Sequence, residues 1–172
     1  MVALEAAISA IGYLAQALVL GFLVTAGYLL PGSEPEPLRR TLAIRACRFL
    51  IIFLCASAGA LLIQGAKLQR GELPSLEILW RYLTATQSGN VLLLRECYAV
   101  ALALLVFSIT RGAGPLHGTR RLALLSLPLI ASRSLTSHAI AVKSQTSWVI
   151  AADAVHLVAT ALWAGGLVAV LS

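Results

Sequence analysis

Trp148-Val-Ile-Ala-Ala-Asp153-Ala-Val-His156-Leu-Val-Ala-Thr160-Ala-Leu-Trp163-Ala-Gly165-Gly166-Leu-Val-Ala-Val-Leu171 is an unbroken apolar run whose sole ionisable side chains are Asp153 and His156. A helix crosses the hydrocarbon core of a bilayer in about 20 residues, so this run is long enough to span. Lipid has no hydrogen bonds to offer a bare backbone, and helix is the conformation that satisfies every N–H and C=O within the segment. Four further runs read the same way: residues 3–30, 42–66, 91–110 and 122–140. Pro31-Gly32 ends the first and Arg111-Gly112 the third. With 148–171 they predict an all-α, polytopic transmembrane helical bundle of about five spans, a single transmembrane domain over residues 1–172.

The composition agrees. Hydrophobic residues make up 59% of the chain and charged residues 12%, against about 25% charged in a soluble domain. Too few charges remain to cover a water-facing surface. The net charge of +6 sits in the gaps between apolar runs, where it reads as topology signal and headgroup contact rather than nucleic-acid binding. The lipid bilayer is thus the first partner.

Residues 33–48 carry Arg39, Arg40, Arg45 and Arg48, and residues 111–121 carry Arg111, Arg120 and Arg121. Between 67 and 90, Lys67 and Arg70 are offset by Glu72 and Glu77, and residues 141–147 hold only Lys143. The positive-inside rule places the two Arg-rich loops in the cytoplasm and the N-terminus outside. Glu5 precedes the first run, which exceeds the about 7–15 residues of a signal-peptide core, so it is read as a retained span. In the 67–90 loop, Leu76, Leu79, Trp80 and Leu83 recur at helical spacing. Pro74-Ser75 supplies a start signal and Ser88-Gly89-Asn90 a stop. A short amphipathic helix near 75–86 should lie on the outer surface, with Trp80 and Tyr82 at headgroup depth. The chain stops at Ser172, directly after a span, which suggests the front part of a longer protein.

A charge inside a span costs a few kcal/mol and is a functional candidate by default. Arg95-Glu96, Arg133, and Asp153 with His156 qualify. Asp153 and His156 share one helix face. Thr160 and Trp163 extend that stripe, and Gly165-Gly166 permits close approach of a neighbouring helix. Counted from Trp148, Asp153 lies about 7 Å deep and His156 about 12 Å; Arg133 lies about 7 Å below His138 on the preceding helix. Similar depth suggests that Arg133 pairs with Asp153. Arg95 reads as an interfacial anchor near the outer end of its span, or as a group facing Asp153. His138 and His156 are either hydrogen-bonding residues that lock helices or ligands, imidazole being suited to copper and haem iron. His117 reads as a solvated loop residue.

No Walker, HExxH, GxSxG or CxxC pattern is present, and no enzyme chemistry is expected. Cys47, Cys55 and Cys97 read as small buried apolar residues. Met1 is the one methionine, so a thioether-lined copper path cannot be built from this chain.

The stretch Ser134-Leu135-Thr136-Ser137-His138-Ala139, followed by Asp153-Ala154-Val155-His156 and Trp163-Ala164-Gly165-Gly166-Leu167, resembles the copper resistance protein D family of bacterial inner-membrane proteins. Leu83-Thr84-Ala85-Thr86-Gln87-Ser88-Gly89 and Leu94-Arg95 resemble that family's outer loop and Arg-bearing span. The resemblance covers roughly residues 76–172, and residues before it match only in hydropathy. It implies copper as the ion handled, with His138, Asp153 and His156 as metal residues and Trp163 as a residue of the same motif. Arg95, Arg133, Gly165 and Gly166 are the structural or pathway residues. A periplasmic copper-binding protein and a second copy of the chain are the protein partners the reading admits. Family members are usually longer, with further spans after Gly-Gly-Leu, and Arg133 departs from the family pattern. The competing readings are a b-type haem electron-transfer protein, which the about 12 Å depth difference between the histidines opposes, and a structural subunit without ligand.

Overall fold

The computed structural model describes residues 2–30, 36–69, 71–111, 118–136 and 146–171, without the side chains of Thr136 and Thr146. All regular structure among them is helical. Helix α1 is Val2–Val24, continued by a π-helical turn, Thr25–Leu29. Helix α2 is Glu36–Leu68, α3 Leu76–Ala85 and α4 Gln87–Arg111. Helix α5, Gly118–Ala131, is continued by a 3-10 segment, Ser132–Thr136, and α6 is Thr146–Leu171. Four of these are long and apolar enough to cross a membrane: Val2–Leu29, Glu36–Leu68, Gln87–Arg111 and Ser147–Leu171.

The fourth expected span is different. Its α-helical part has 14 residues, too few to cross alone. The 3-10 continuation, at about 2 Å rise per residue, adds roughly 10 Å. Two other expectations are corrected. The Arg-rich stretch before the second span is mostly the first turns of α2, so Arg39, Arg40, Arg45 and Arg48 stand on a helix rather than a loop. Ser88-Gly89-Asn90 opens α4 rather than closing α3. Helix α3 ends at Ala85, and Thr86 turns extended there. The Thr86 hydroxyl then accepts from the Gly89 N–H at 2.9 Å, capping the next helix. The expected amphipathic helix is present, started by Ser75, whose Oγ accepts from the Ile78 N–H at 3.4 Å. Trp80 on it is exposed.

Helix α1 is the centre. Of its most apolar window 56% is buried within the protein, against 17–22% for the other three long helices. It packs on α2, α5 and α6. Leu18, Val19, Phe22 and Leu23 of α1 meet Leu50 and Phe53 of α2, Leu102 and Val106 of α4, and Leu122 and Leu129 of α5 in one apolar core. The exposed Leu94, Leu104, Val155 and Val170 then face hydrocarbon, where no hydrophobic force drives helices together. Close packing and interhelical hydrogen bonds do that work.

Close packing is tightest between α1 and α6. A Cβ on Gly21 would stand 2.5 Å from the Gly165 Cα, and a Cβ on Gly165 would stand 2.9 Å from the Ala17 carbonyl carbon. The two backbones touch because neither residue has a side chain. At one end of the bundle Glu5 of α1 pairs with Lys67 of α2 at 2.5 Å and accepts from Gln64 at 2.7 Å. Beyond α2, Gly71 takes a positive φ of 100° and its N–H reaches the Ala66 carbonyl at 2.8 Å, closing the helix. At the other end, arginines from α2 and α5 converge on the last carbonyls of α1. Arg39 donates to Ala26 and Leu30 at 3.0 Å each, and Arg120 donates to Gly27 at 2.8 Å. Cations there satisfy the free carbonyls and oppose the negative end of the helix dipole.

Candidate functional site

Helix α5 carries a weak point. Pro128 sits inside it, has no N–H to donate and crowds the preceding turn. Backbone groups freed in a membrane must be met by neighbouring side chains, and three carbonyls of this segment are. Tyr98 of α4 donates to the Leu125 carbonyl at 2.5 Å. Ser132 and Gln16 both donate to the Leu129 carbonyl, at 2.8 and 3.2 Å. Ser134 donates to Ala131 at 2.7 Å. Gln16, 1% exposed on α1, therefore reaches the point where α5 tightens into its 3-10 continuation.

The same amide holds Arg133. The Arg133 Nε donates to Gln16 Oε1, and its Cζ lies 5.8 Å from the Tyr13 ring. Arg95 and Glu96 of α4 approach from the other side, within electrostatic reach of Arg133. Arg95 Nε stands 3.5 Å from Glu96 Oε1, with the Arg95 side chain 10% exposed. Its Cζ lies 5.7 Å from the Phe53 ring of α2. Ser57 of α2 is beside the Glu96 carboxylate. Two guanidiniums, one carboxylate, an amide and a hydroxyl thus gather from α1, α2, α4 and the 3-10 segment. Glu5 to Gln16 is about 16 Å along α1, and Lys67 to Ser57 about 15 Å along α2. The cluster lies near half the depth of a hydrocarbon core about 30 Å thick. Two of its atoms, Arg95 Nε and Glu96 Oε1, are fully buried and make no hydrogen bond.

This arrangement changes one reading and extends another. The described contacts give Arg133 partners on α1 and α4. Arg95 is a buried member of a polar cluster rather than an interfacial anchor. Sequence reasoning singled out Arg95, Glu96 and Arg133 separately and missed Gln16, Ser57 and Tyr13. Gln16 carried a signal, as the sole amide in the first apolar run. Ser57 carried none, since a lone serine in a span is commonplace.

On α6 the residues divide by face. Ala161, Gly165 and Ala169 are buried, with Leu157 and Val158 packed beside them against Ala17, Leu20 and Ile130. Asp153 is half-buried at the edge of that face, while His156 is exposed and Trp163 is 74% exposed on the opposite one. The expected packing role holds for Gly165. A Cβ on Gly166 would meet nothing within 4 Å. His138 lies outside the described residues. Among the described residues no group of three or more His, Cys, Asp or Glu side chains could hold a metal ion. Cys47 is partly buried, whereas Cys55 and Cys97 are exposed, contrary to the expectation of buried thiols.

Comparison with known proteins adds one finding. A family model described as copper resistance protein D-like, N-terminal domain, matches residues 2–148. The match takes in the first two long helices, for which the sequence offered only hydropathy, and includes His138, Arg95 and Arg133. It ends before Asp153 and His156. No curated protein and no solved structure matches the chain.

Proposed function

The chain belongs to the copper resistance protein D-like family, and from that premise we propose that this multi-pass membrane protein moves copper into or across the bacterial inner membrane. The family match over residues 2–148 carries the reading. The Pro128-bearing α5 and its 3-10 continuation support it, because departures from regular α-helix at membrane depth are tolerated where they line a polar passage. In this reading the N-terminus and the α2–α4 connection face outward. His138 follows the 3-10 segment by two residues and captures the ion at the outer mouth. Asp153 and His156 on α6 receive it, the carboxylate balancing charge. His156 stands on the outward face of α6, so a site using it is completed by a second protein surface, from another copy or a periplasmic copper-binding partner.

Metal and haem content of the detergent-purified protein tests this. Copper should copurify, should fall to background in the His138→Ala/His156→Ala double variant, and should come without a Soret band. Copper-free wild-type protein after copper loading, or a Soret band lost in the double variant, would overturn it.

A further inference from the structure

The Arg95–Glu96 pair has an unusual defect. Its two groups are 3.5 Å apart, yet Arg95 Nε and Glu96 Oε1 are both buried without a hydrogen bond. Buried polar groups in folded proteins are nearly always satisfied, and an exception calls for an explanation. The complement of this pair is a group that accepts from the guanidinium and donates to the carboxylate. Water does both, and water is what carries protons to a buried carboxylate. A small anion would be repelled by Glu96, and a metal ion by two guanidiniums.

We infer that Glu96 binds and releases a proton inside the bundle, and that its charge controls the position of the 3-10 segment, Ser132–Thr136, that precedes His138 in the chain. The second half rests on the proposed copper transport. The charged groups acting on Glu96 are Arg95 on its own helix and Arg133 on the 3-10 segment; Tyr13 of α1 lies against Arg133, and Tyr82 of α3 is near Arg95. Gln16 and Ser57 are neutral. Ionised, Glu96 attracts both guanidiniums and holds the cluster together. Protonated, it leaves two like charges facing each other across a low-dielectric interior, where repulsion is strong. Arg133 then withdraws from α4. It stands in a short 3-10 segment, a form suited to hinge-like adjustment, and five residues before His138. The step balances simply: a carboxylate takes one proton from the outer water and returns it.

Infrared difference spectroscopy of purified protein between alkaline and acidic pH reads the first half without copper. A protonated-carboxyl band should appear on acidification, be lost in Glu96→Gln, and return shifted in Glu96→Asp. Size-exclusion and circular dichroism confirm that each variant is folded. No such band in wild type, or an unchanged band in Glu96→Gln, would overturn the proton site. Copper uptake into vesicles reads the second half. Wild-type uptake should vary with outside pH, and Glu96→Gln should lose that variation. A Glu96 band accompanied by pH-independent uptake would overturn the link to copper while leaving transport intact. Absence of uptake by wild type would instead refute the transport reading, with the infrared arm still deciding on Glu96.

Discussion

At the scale of single residues, Gln16 joins two helices by both ends of its amide. Its amide nitrogen meets the Leu129 carbonyl and its oxygen meets Arg133, so it ties α1 to α5 where that helix passes into its 3-10 continuation. Leucine is similar in size and supplies neither bond. Gln16→Leu should cost about 2–4 kcal/mol, since it strands a buried carbonyl and weakens the hold on a charge. Thermal melting in detergent measures the loss. The Gln16→Leu/Arg133→Leu double variant should be more stable than the sum of the two singles implies, because each single takes a partner away from the other side chain. Strict additivity would show that the two side chains do not act as a pair. The sequence disclosed the charges here because charge in an apolar run is conspicuous. It did not disclose their pairing. Depth counting placed Arg133 level with Asp153 but, fixing one coordinate of three, could not show Gln16 as a partner. Which way Arg133 points is set by how α1 and α5 rotate against each other.

At the scale of elements, α1 and α6 are joined where two glycines meet. Gly165 is buried against Ala17 and Gly21, whereas nothing lies within 4 Å of a Cβ on Gly166. Adjacent and chemically identical, they should respond very differently. Gly165→Ala forces two backbones apart and should destabilise by about 1–3 kcal/mol or more, the usual cost of overpacking. Gly166→Ala should be neutral or slightly stabilising, alanine being the better helix former by about 1 kcal/mol. Detergent melting of the two variants side by side gives the comparison, and equal effects would contradict the crossing. The existence and kind of the long helices were legible from apolar length alone. So was α3, because its leucines recur on one side and Ser75 caps it. Less legible were the ends. Arginines read as loop because they are charged, yet they stand on α2, whose backbone satisfies itself beyond the apolar run. Ser88-Gly89-Asn90 read as a stop, yet Thr86 caps the next helix just before it. The division of α6 into faces was missed for a related reason. Asp153 and His156 share a side by spacing, but spacing alone does not say which side packs.

At the scale of the whole molecule, the protein is a helical membrane bundle wound around α1. Its two ends differ chemically. One carries the Glu5–Lys67 pair, and the other carries arginines that close the end of α1. Between them, near mid-membrane, lies the Arg95–Glu96–Arg133 cluster beside the Pro128-bearing helix and its 3-10 continuation. Family membership covers most of this frame, and the proposed copper chemistry rests on named side chains, His138 first. Copper uptake into vesicles holding the purified protein tests that claim most directly. Wild-type protein should accumulate copper faster than empty vesicles, and His138→Ala and His156→Ala, shown to be folded, should fall to the empty-vesicle rate. Wild-type uptake no faster than empty vesicles, or full uptake by both variants, would contradict it.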